Sequence, residues 1–491
     1  MALSKSDYLL FLKHPAWLWL KKHDKAKLEL PSDNLQSIFD SGFLFESYAE
    51  KLFPEGVRIG FSNYDEYLSQ PSRTIRALED GATIVLQGRF EKGNITCICD
   101  LIKKIDDKTV DLYEIKSSTE VKPIHEYDLT FQTLVLEGCG YTVRRCFVLC
   151  VNGEYIRIGA VDPTQLVIET DVTNAILEKK EDVRVQIQNA LDVVALPTIP
   201  NTSPSLAGFQ SLKEWLDIYK SMFPVEKGSI YDLCRINTEL LREFEKRNIQ
   251  KIIDIPDDIQ LKPQQELQVQ VTKTDEVVEN DGEIQAFLSR FEFPLYFLDY
   301  ETLSSVIPEF DGIKPYQQVP FQYSLHILTS PTAEIQHVGY LHMQKTNPVF
   351  SLSESLKSHI GTTGTILVWY ENFEKSRNTE MGEIDSQFRE FYKSINSRIL
   401  DLMIPFSQGW YVHKDFLGSA SIKKVLPVLV PELSHKDLEI QEGNTAQRLW
   451  METVLDQKHD SEKDSIYNNL EKYCELDTLA MVKIYQKLTQ I

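Results

Sequence analysis

Apolar positions recur along this chain with two periods, and the changes between them outline its organisation. Tyr8-Leu9-Leu10-Phe11-Leu12 follows Ser4 and Ser6, a capped amphipathic helix. A second helix is expected over 37–53. From 88 to 158 the pattern shortens to strand-like segments at 88–91, 96–102, 110–116 and 144–151, separated by polar turns such as Asp106-Asp107. Between the last two, residues 125–137 carry a helical period that stops at Gly138. Residues 209–270 are mainly helical apart from the turn-rich 254–258. After Phe291 the strand period returns at 295–301, 321–329 and 365–370, and a helical segment closes the chain.

Two stretches interrupt the pattern, a Pro/Ser/Gly-rich one at 197–208 and an acidic one at 275–283, and both have the composition of linkers or exposed loops. A chain of 491 residues exceeds what one core usually serves. The expected organisation is a mixed α/β domain over 1–170, a mainly helical connector over 171–285, and a second α/β domain over 286–491.

Composition narrows the function classes. With 52 Lys+Arg against 73 Asp+Glu the formal charge is −21, so no global basic field drives non-specific nucleic-acid binding and any grip must be local. The seven cysteines, an odd number, read as reduced thiols and point to the cytoplasm. No apolar run approaches the roughly 20 residues of a membrane-spanning helix.

Candidate chemistry falls in two places. In the first half, Asp100 closes one strand and Glu114-Ile115-Lys116 ends the next. Alternate strand residues share a face, so Glu114 and Lys116 project together, and paired strand ends bring Asp100 alongside. Two carboxylates and an ammonium suit phosphodiester hydrolysis: the acids hold Mg²⁺ or Mn²⁺ and the lysine orients water or offsets developing charge.

In the second half, Leu295-Tyr-Phe-Leu-Asp299-Tyr-Glu301 sets two carboxylates on one face at the end of an apolar strand, where a metal would relieve their repulsion. Tyr473 and Asp477 lie four apart on a helix, hence on one face, with Asp477 a metal ligand and the Tyr473 hydroxyl placed to orient water. Glu374 is expected at the end of the strand over 365–370. Asp401 is a further acid that supports this site, takes the place of Glu374, or is a surface group. His326 on an apolar strand reads as a partnered core histidine. Lys423 and Lys424, with Lys21, Lys22, Lys25, Arg144 and Arg145, are candidate phosphate contacts.

Residues 1–160 resemble the PD-(D/E)xK nuclease superfamily in its RecB-like branch: Glu46 in a preceding helix, then Asp100, then Glu114-Ile-Lys116, then a helix bearing Gln132. The resemblance implies a restriction-endonuclease-like mixed sheet core and a metal-dependent DNA nuclease. Glu46, Asp100 and Glu114 would be ligands, Lys116 the catalytic lysine and Gln132 a catalytic or substrate contact. Relatives that carry an iron–sulfur cluster use one early and three late cysteines. Here His14-Pro15 stands at the early position and the late group is missing, so no cluster is expected. The order Asp299-x-Glu301, Glu374 and Tyr473-x-x-x-Asp477 resembles DnaQ-like 3′–5′ exonucleases of the RNase H fold with Tyr in the third motif, with Glu374 replacing Asp. The whole chain resembles a bacterial fusion family of these two modules. That implies a cytoplasmic nuclease acting on DNA single strands or ends, with RNA, or a catalytically reduced nucleic-acid-binding or assembly role, as the alternatives.

Overall fold

In the computed structural model, which describes residues 2–28 and 32–491, Ser4 caps helix α1 (Lys5–Lys13). Its Oγ accepts the N–H of Asp7, and the Asp7 carboxylate accepts the N–H of Ser4 in return, so two otherwise orphaned donors are satisfied. Helices α2 (Pro15–His23), α3 (Asp33–Glu50), α4 (Tyr64–Glu79), α5 (Pro123–Gly138) and α6 (Thr173–Ala195) follow in the first half. The chain is a mixed α/β protein of two compact units, residues 1–225 with 237–243, and residues 226–236 with 244–491.

The first unit is built on strands β1 (Leu3–Ser4), β2 (Val57–Arg58), β3 (Ile84–Lys92), β4 (Ile95–Lys104), β5 (Thr109–Lys116), β6 (Thr142–Val151) and β7 (Val167–Asp171). They pair in the order β2-β3-β4-β5-β6-β7, with β1 parallel to the start of β4. Strands β3, β4 and β5 are antiparallel neighbours, and β5 and β6 are parallel. The parallel pair requires a crossover, which α5 supplies. Because α5 lies between sheet and α6, it is buried along most of its length from Leu129 to Leu136.

The expected connector over 171–285 does not exist as a separate body. Helix α6 packs along α5 and α2 and contributes Ile176, Val183, Ile187 and Ala190 to the first core, while the helix Pro263–Thr274 belongs to the second unit. Nor is 197–208 a free linker. His14 Nε2 donates to Ser203 O at 3.0 Å, Trp215 Nε1 donates to Thr202 O at 3.0 Å, and the two rings stack at 3.8 Å. His14 Nδ1 meanwhile accepts the N–H of Ala16 and caps α2, and burial pushes its ring down to about 4, so it stays neutral. The acidic stretch is likewise tied down, since Val278–Glu279 pairs with Tyr411–Val412.

The second unit carries strands β8 (Leu295–Leu303), β9 (Val319–Leu328), β10 (Gln336–Leu341), β11 (Thr365–Val368) and β12 (Ile399–Asp401) in the order β10-β9-β8-β11-β12. Central β8 is covered on both faces, which is why it reads as a near-continuous apolar run. Tyr296, Leu298 and Tyr300 enter one core; Leu295 and Phe297 enter the other, beside Val425, Leu426, Met481 and Ile484. Helices α7 (Glu371–Ile384), α8 (Ile422–Leu429) and α9 (Lys463–Leu488) surround this sheet. Polar pins fix α9 on β9: Gln322 Nε2 donates to Leu470 O at 2.9 Å, Ser324 Oγ and Thr478 Oγ1 lie 2.7 Å apart, and His326 Nδ1 lies 2.8 Å from Thr478 Oγ1. His326 is thus a partnered core histidine, held neutral by burial and by His337, which push it down to about 4.

Among the described residues no helix is long and apolar enough to cross a membrane. The tightest join in the first unit is at Gly208, where a Cβ would meet Leu12 O at 2.4 Å. Gly208→Ala should therefore force a backbone shift costing about 1–3 kcal/mol and lower the thermal unfolding midpoint; an unchanged melting curve refutes this fit.

Candidate functional site

The first cluster forms where β4 and β5 end beside α5. Asp100 stands across from Glu114, and its Oδ2 accepts the N–H of Ile115 at 2.8 Å, which fixes its direction. Lys116 Nζ donates to Glu114 Oε1 at 2.6 Å and to Asp128 Oδ2 at 2.9 Å. Gln132 Nε2 donates to Glu114 Oε2 at 2.6 Å and to Asp128 Oδ1 at 2.9 Å, leaving its own Oε1 buried without a partner. Asp100, Glu114, Lys116 and Gln132 therefore meet as the sequence led one to expect. Glu46 on α3 joins them electrostatically. Burial, with the charges of Asp100 and Glu50, raises its carboxyl to about 7 against the partial relief from Arg58.

Three members of this cluster were not anticipated. Lys5, on the first turn of α1, places its Nζ 2.8 and 3.0 Å from the two oxygens of Glu114 and 3.6 Å from Asp100. Burial pulls this ammonium down, but Asp100, Asp128 and Glu114 outweigh it and hold it charged, well above the usual lysine range. Asp128 sits one turn before Gln132 on the same face of α5, a spacing visible in the sequence. Gln87 takes a left-handed backbone (φ 56°) across the β3–β4 pair from Asp100 and donates to Glu46 Oε1 at 2.7 Å. Nothing in its neighbours marks that turn.

The second cluster draws on β8, α7, α8 and α9. Asp299 and Glu301 alternate along β8 and face α9, whose Tyr473, Cys474 and Asp477 lie on one side of a helical turn. One carboxylate oxygen each of Asp299 and Glu301 and the Cys474 Sγ all lie within 4.8 Å of one another. Glu374 lies outside that close group but within its electrostatic reach, and not at a strand end. Strand β11 stops at Val368, and Glu374 sits buried in the first turn of α7 with its Oε2 unpartnered.

These acids disturb one another. Burial and the charge of Asp477 push Asp299 well above the carboxylate range, opposed by Lys423. Burial, Asp299 and Asp477 do the same to Glu301; burial, Asp299 and Glu301 do so to Glu374. Tyr473 is kept protonated by burial and by Asp477, Glu301 and Asp299. Its hydroxyl accepts from Lys423 Nζ at 3.4 Å, so Lys423 turns inward to the site, where its Nζ also donates to Gln441 O. His435, on a short turn that carries no sequence signal, lies with Nε2 2.7 Å from Asp477 Oδ1 and orients that carboxylate. Two acids and a thiol within 4.8 Å of one another, with the buried and unpartnered oxygen of Glu374 in their electrostatic reach, make a donor set that fits a divalent cation.

Asp401 does not serve this set. Its Oδ1 accepts the N–H groups of Tyr370 and Met403 and its Oδ2 that of Glu371, which clamps Tyr370 in a left-handed conformation (φ 82°) where β11 turns into α7. It is a positioning residue for the helix that bears Glu374. The proposed phosphate contacts are also largely engaged. Lys21 and Lys22 pair with Asp7 at 3.1 and 2.6 Å, Arg144 donates to buried Asp111 at 2.9 Å, and Arg145 lies 3.9 Å from Asp171.

A family model described as a domain of unknown function (DUF2779) matches residues 296–421, which include Asp299, Glu301 and Glu374 but end before Lys423 and α9. The chain is similar to the uncharacterized protein MG366 of Mycoplasma genitalium, 27% identical over 38% of this chain and 31% of that protein. Its homolog in Mycoplasma pneumoniae is 26% identical over 39% of this chain and 32% of its own length. The chain thus spans about a third of the length of these curated relatives.

The Glu46 carboxyl sets a pH dependence. The unfolded chain releases this proton near its ordinary value of 4.5, whereas the folded protein keeps it to about 7, so stability is lost as pH rises between the two. Glu46→Gln should raise the melting temperature at pH 8 in the presence of EDTA and leave it unchanged at pH 4. An equal shift at both pH values refutes the assignment. Asp401→Ala should lower the melting temperature at every pH, because it strands three N–H groups.

Proposed function

We propose that this protein is a divalent-metal-dependent phosphodiester hydrolase acting on DNA, as single strands or at ends, with the second cluster as its cation-holding centre. The observation that carries the reading is the close approach of Asp299 and Glu301, with Glu374 and Asp477 from two further elements in their electrostatic reach and Lys423 partly relieving Asp299 and Glu301. Acids gathered in a buried cleft must be neutralised by protons or by a counter-ion, and a site for phosphodiester chemistry supplies the counter-ion. The resemblance to DnaQ-like exonucleases assigns the same residues, and the RecB-like resemblance assigns Asp100, Glu114 and Lys116 in the first unit.

Mg²⁺ or Mn²⁺ held by Asp299, Glu301, Glu374 and Asp477 would acidify water and offset charge on the leaving oxygen. The remaining work belongs to the chain. Tyr473, protonated at neutral pH, donates a hydrogen bond to the attacking water or a phosphate oxygen. Lys423 steadies the Tyr473 hydroxyl and meets phosphate charge. His435 keeps Asp477 from rotating out of the cleft. Seven unpaired thiols are consistent with a cytoplasmic enzyme.

The first unit invites a second reading. Lys5 sits between Asp100 and Glu114 in the place of a cation, so in this reading the unit holds no metal unless Lys5 withdraws. Lys5→Ala should then make the thermal midpoint more responsive to Mn²⁺; an unaltered response removes the idea.

The deciding measurement is digestion of end-labelled single- and double-stranded DNA and RNA with Mg²⁺, Mn²⁺ or EDTA. The expected result is shortening of single-stranded DNA that EDTA abolishes and Asp299→Asn reduces on the order of 100-fold or more. Digestion confined to RNA would reassign the substrate, and digestion that persists in both EDTA and Asp299→Asn would end the proposal.

A further inference from the structure

We propose that the ring of Tyr370 is a stacking platform for an unpaired nucleobase at the end of a strand that enters the second cluster. This deepens the proposed function by naming what holds the substrate there, and it rests on that reading. Two properties of Tyr370 do not explain each other. Its backbone is left-handed (φ 82°), a conformation that glycine adopts freely and a bulky side chain resists. Its side chain is nevertheless 51% exposed, and among the described residues its ring stacks on no other and its hydroxyl makes no hydrogen bond. A large side chain held in a disfavoured conformation without packing in return is directed at something outside the fold.

The surroundings fix where the ring stands. Asp401 Oδ1 accepts the N–H of Tyr370 at 3.0 Å, and the Tyr370 carbonyl accepts the N–H of Phe373 at 3.1 Å, so both backbone polar groups are held. Trp369, just before it, stacks on Phe406 and donates from Nε1 to Ala420 O at 3.1 Å, in the loop that leads into α8 and Lys423. The residues just after it open α7, which carries Glu374 in its first turn. Strand β11 runs parallel to β8 with Leu367 beside Phe297, so its end comes out level with Asp299. Open α/β sheets take their ligands outside the carboxyl ends of such strands. Charge then selects the ligand. The chain has a formal charge of −21 and the cluster itself is acidic, so a strand gains little there from its phosphates. The face of a nucleobase is neutral, and stacking on tyrosine grips a strand without adding charge to the site. Inside a duplex both faces are covered by neighbouring pairs, which restricts the platform to single strands and ends.

The test uses the full-length protein, Ca²⁺ in place of Mg²⁺, and fluorescence anisotropy of a labelled oligothymidylate against the same strand made abasic at both terminal nucleotides. Wild-type protein should bind the intact strand on the order of tenfold more tightly than the abasic one, the effect of one stacked base, and Tyr370→Phe should keep that ratio. Tyr370→Gly, which suits the left-handed backbone, should melt no lower than wild type yet bind the two strands alike. An oligouridylate pair run alongside identifies which polymer supplies the base. Equal affinities for intact and abasic strands in wild type, or a preference that survives in Tyr370→Gly, overturns the proposal. So does a Tyr370→Gly protein that melts lower than both wild type and Tyr370→Phe, since the ring is then a packing group. The outcome is separable from hydrolysis: base-dependent binding through Tyr370 without cleavage of any strand leaves the platform standing and ends the hydrolase reading, and metal-dependent cleavage with no preference between the strands does the reverse.

Discussion

Carboxylates gathered on strands and the helices packed against them repel, and each unit of this protein must answer that repulsion before anything else in it can be stable. The first unit answers from within, with Lys5 and Lys116 lodged among Asp100, Glu114 and Asp128 and Gln132 bridging two of the acids. The second leaves its acids short of donors, with Lys423 alone beside Asp299 and Glu301 and one oxygen of Glu374 unpartnered. Acids set close together by strand geometry, across a pair in one unit and at alternate positions of one strand in the other, thus yield a neutralised cluster in one case and a charge deficit in the other.

Much of this was legible from periodicity. Asp100 opposite Glu114-x-Lys116, and Asp299 and Glu301 on one face of β8, follow from the two-residue repeat of strands. Tyr473 and Asp477 follow from the helical turn. What escaped depends on contacts between residues distant in sequence. Lys5 reaches a strand more than a hundred positions away, and His435 stands on an irregular turn. Asp128, one turn before Gln132 on the same face of α5, is readable from helical spacing once Gln132 is singled out.

Two misreadings have a common cause. The apolar run at 365–370 suggested a strand ending beside Glu374, but Asp401 captures the N–H groups of Tyr370 and Glu371 and turns the chain into a helix after Val368. A side chain from another strand sets that boundary, so no local pattern reveals it. The supposed connector failed likewise. The apolar stripe of α6 has the look of an independent helix, yet its partner is α5, and only tertiary packing identifies it as part of the first core.

The distance along the chain between the two halves of the second cluster has a kinetic consequence. Asp299 and Cys474 are 175 residues apart, so the cluster closes only when a long loop has been drawn together. Loop-closure entropy and electrostatic repulsion then fall on the same step, and neither is offset until α9 docks on β9. A cation held as we propose would screen the repulsion at that moment, and would then act on the rate at which the protein forms, bringing the closing helix in faster than the bare acids allow.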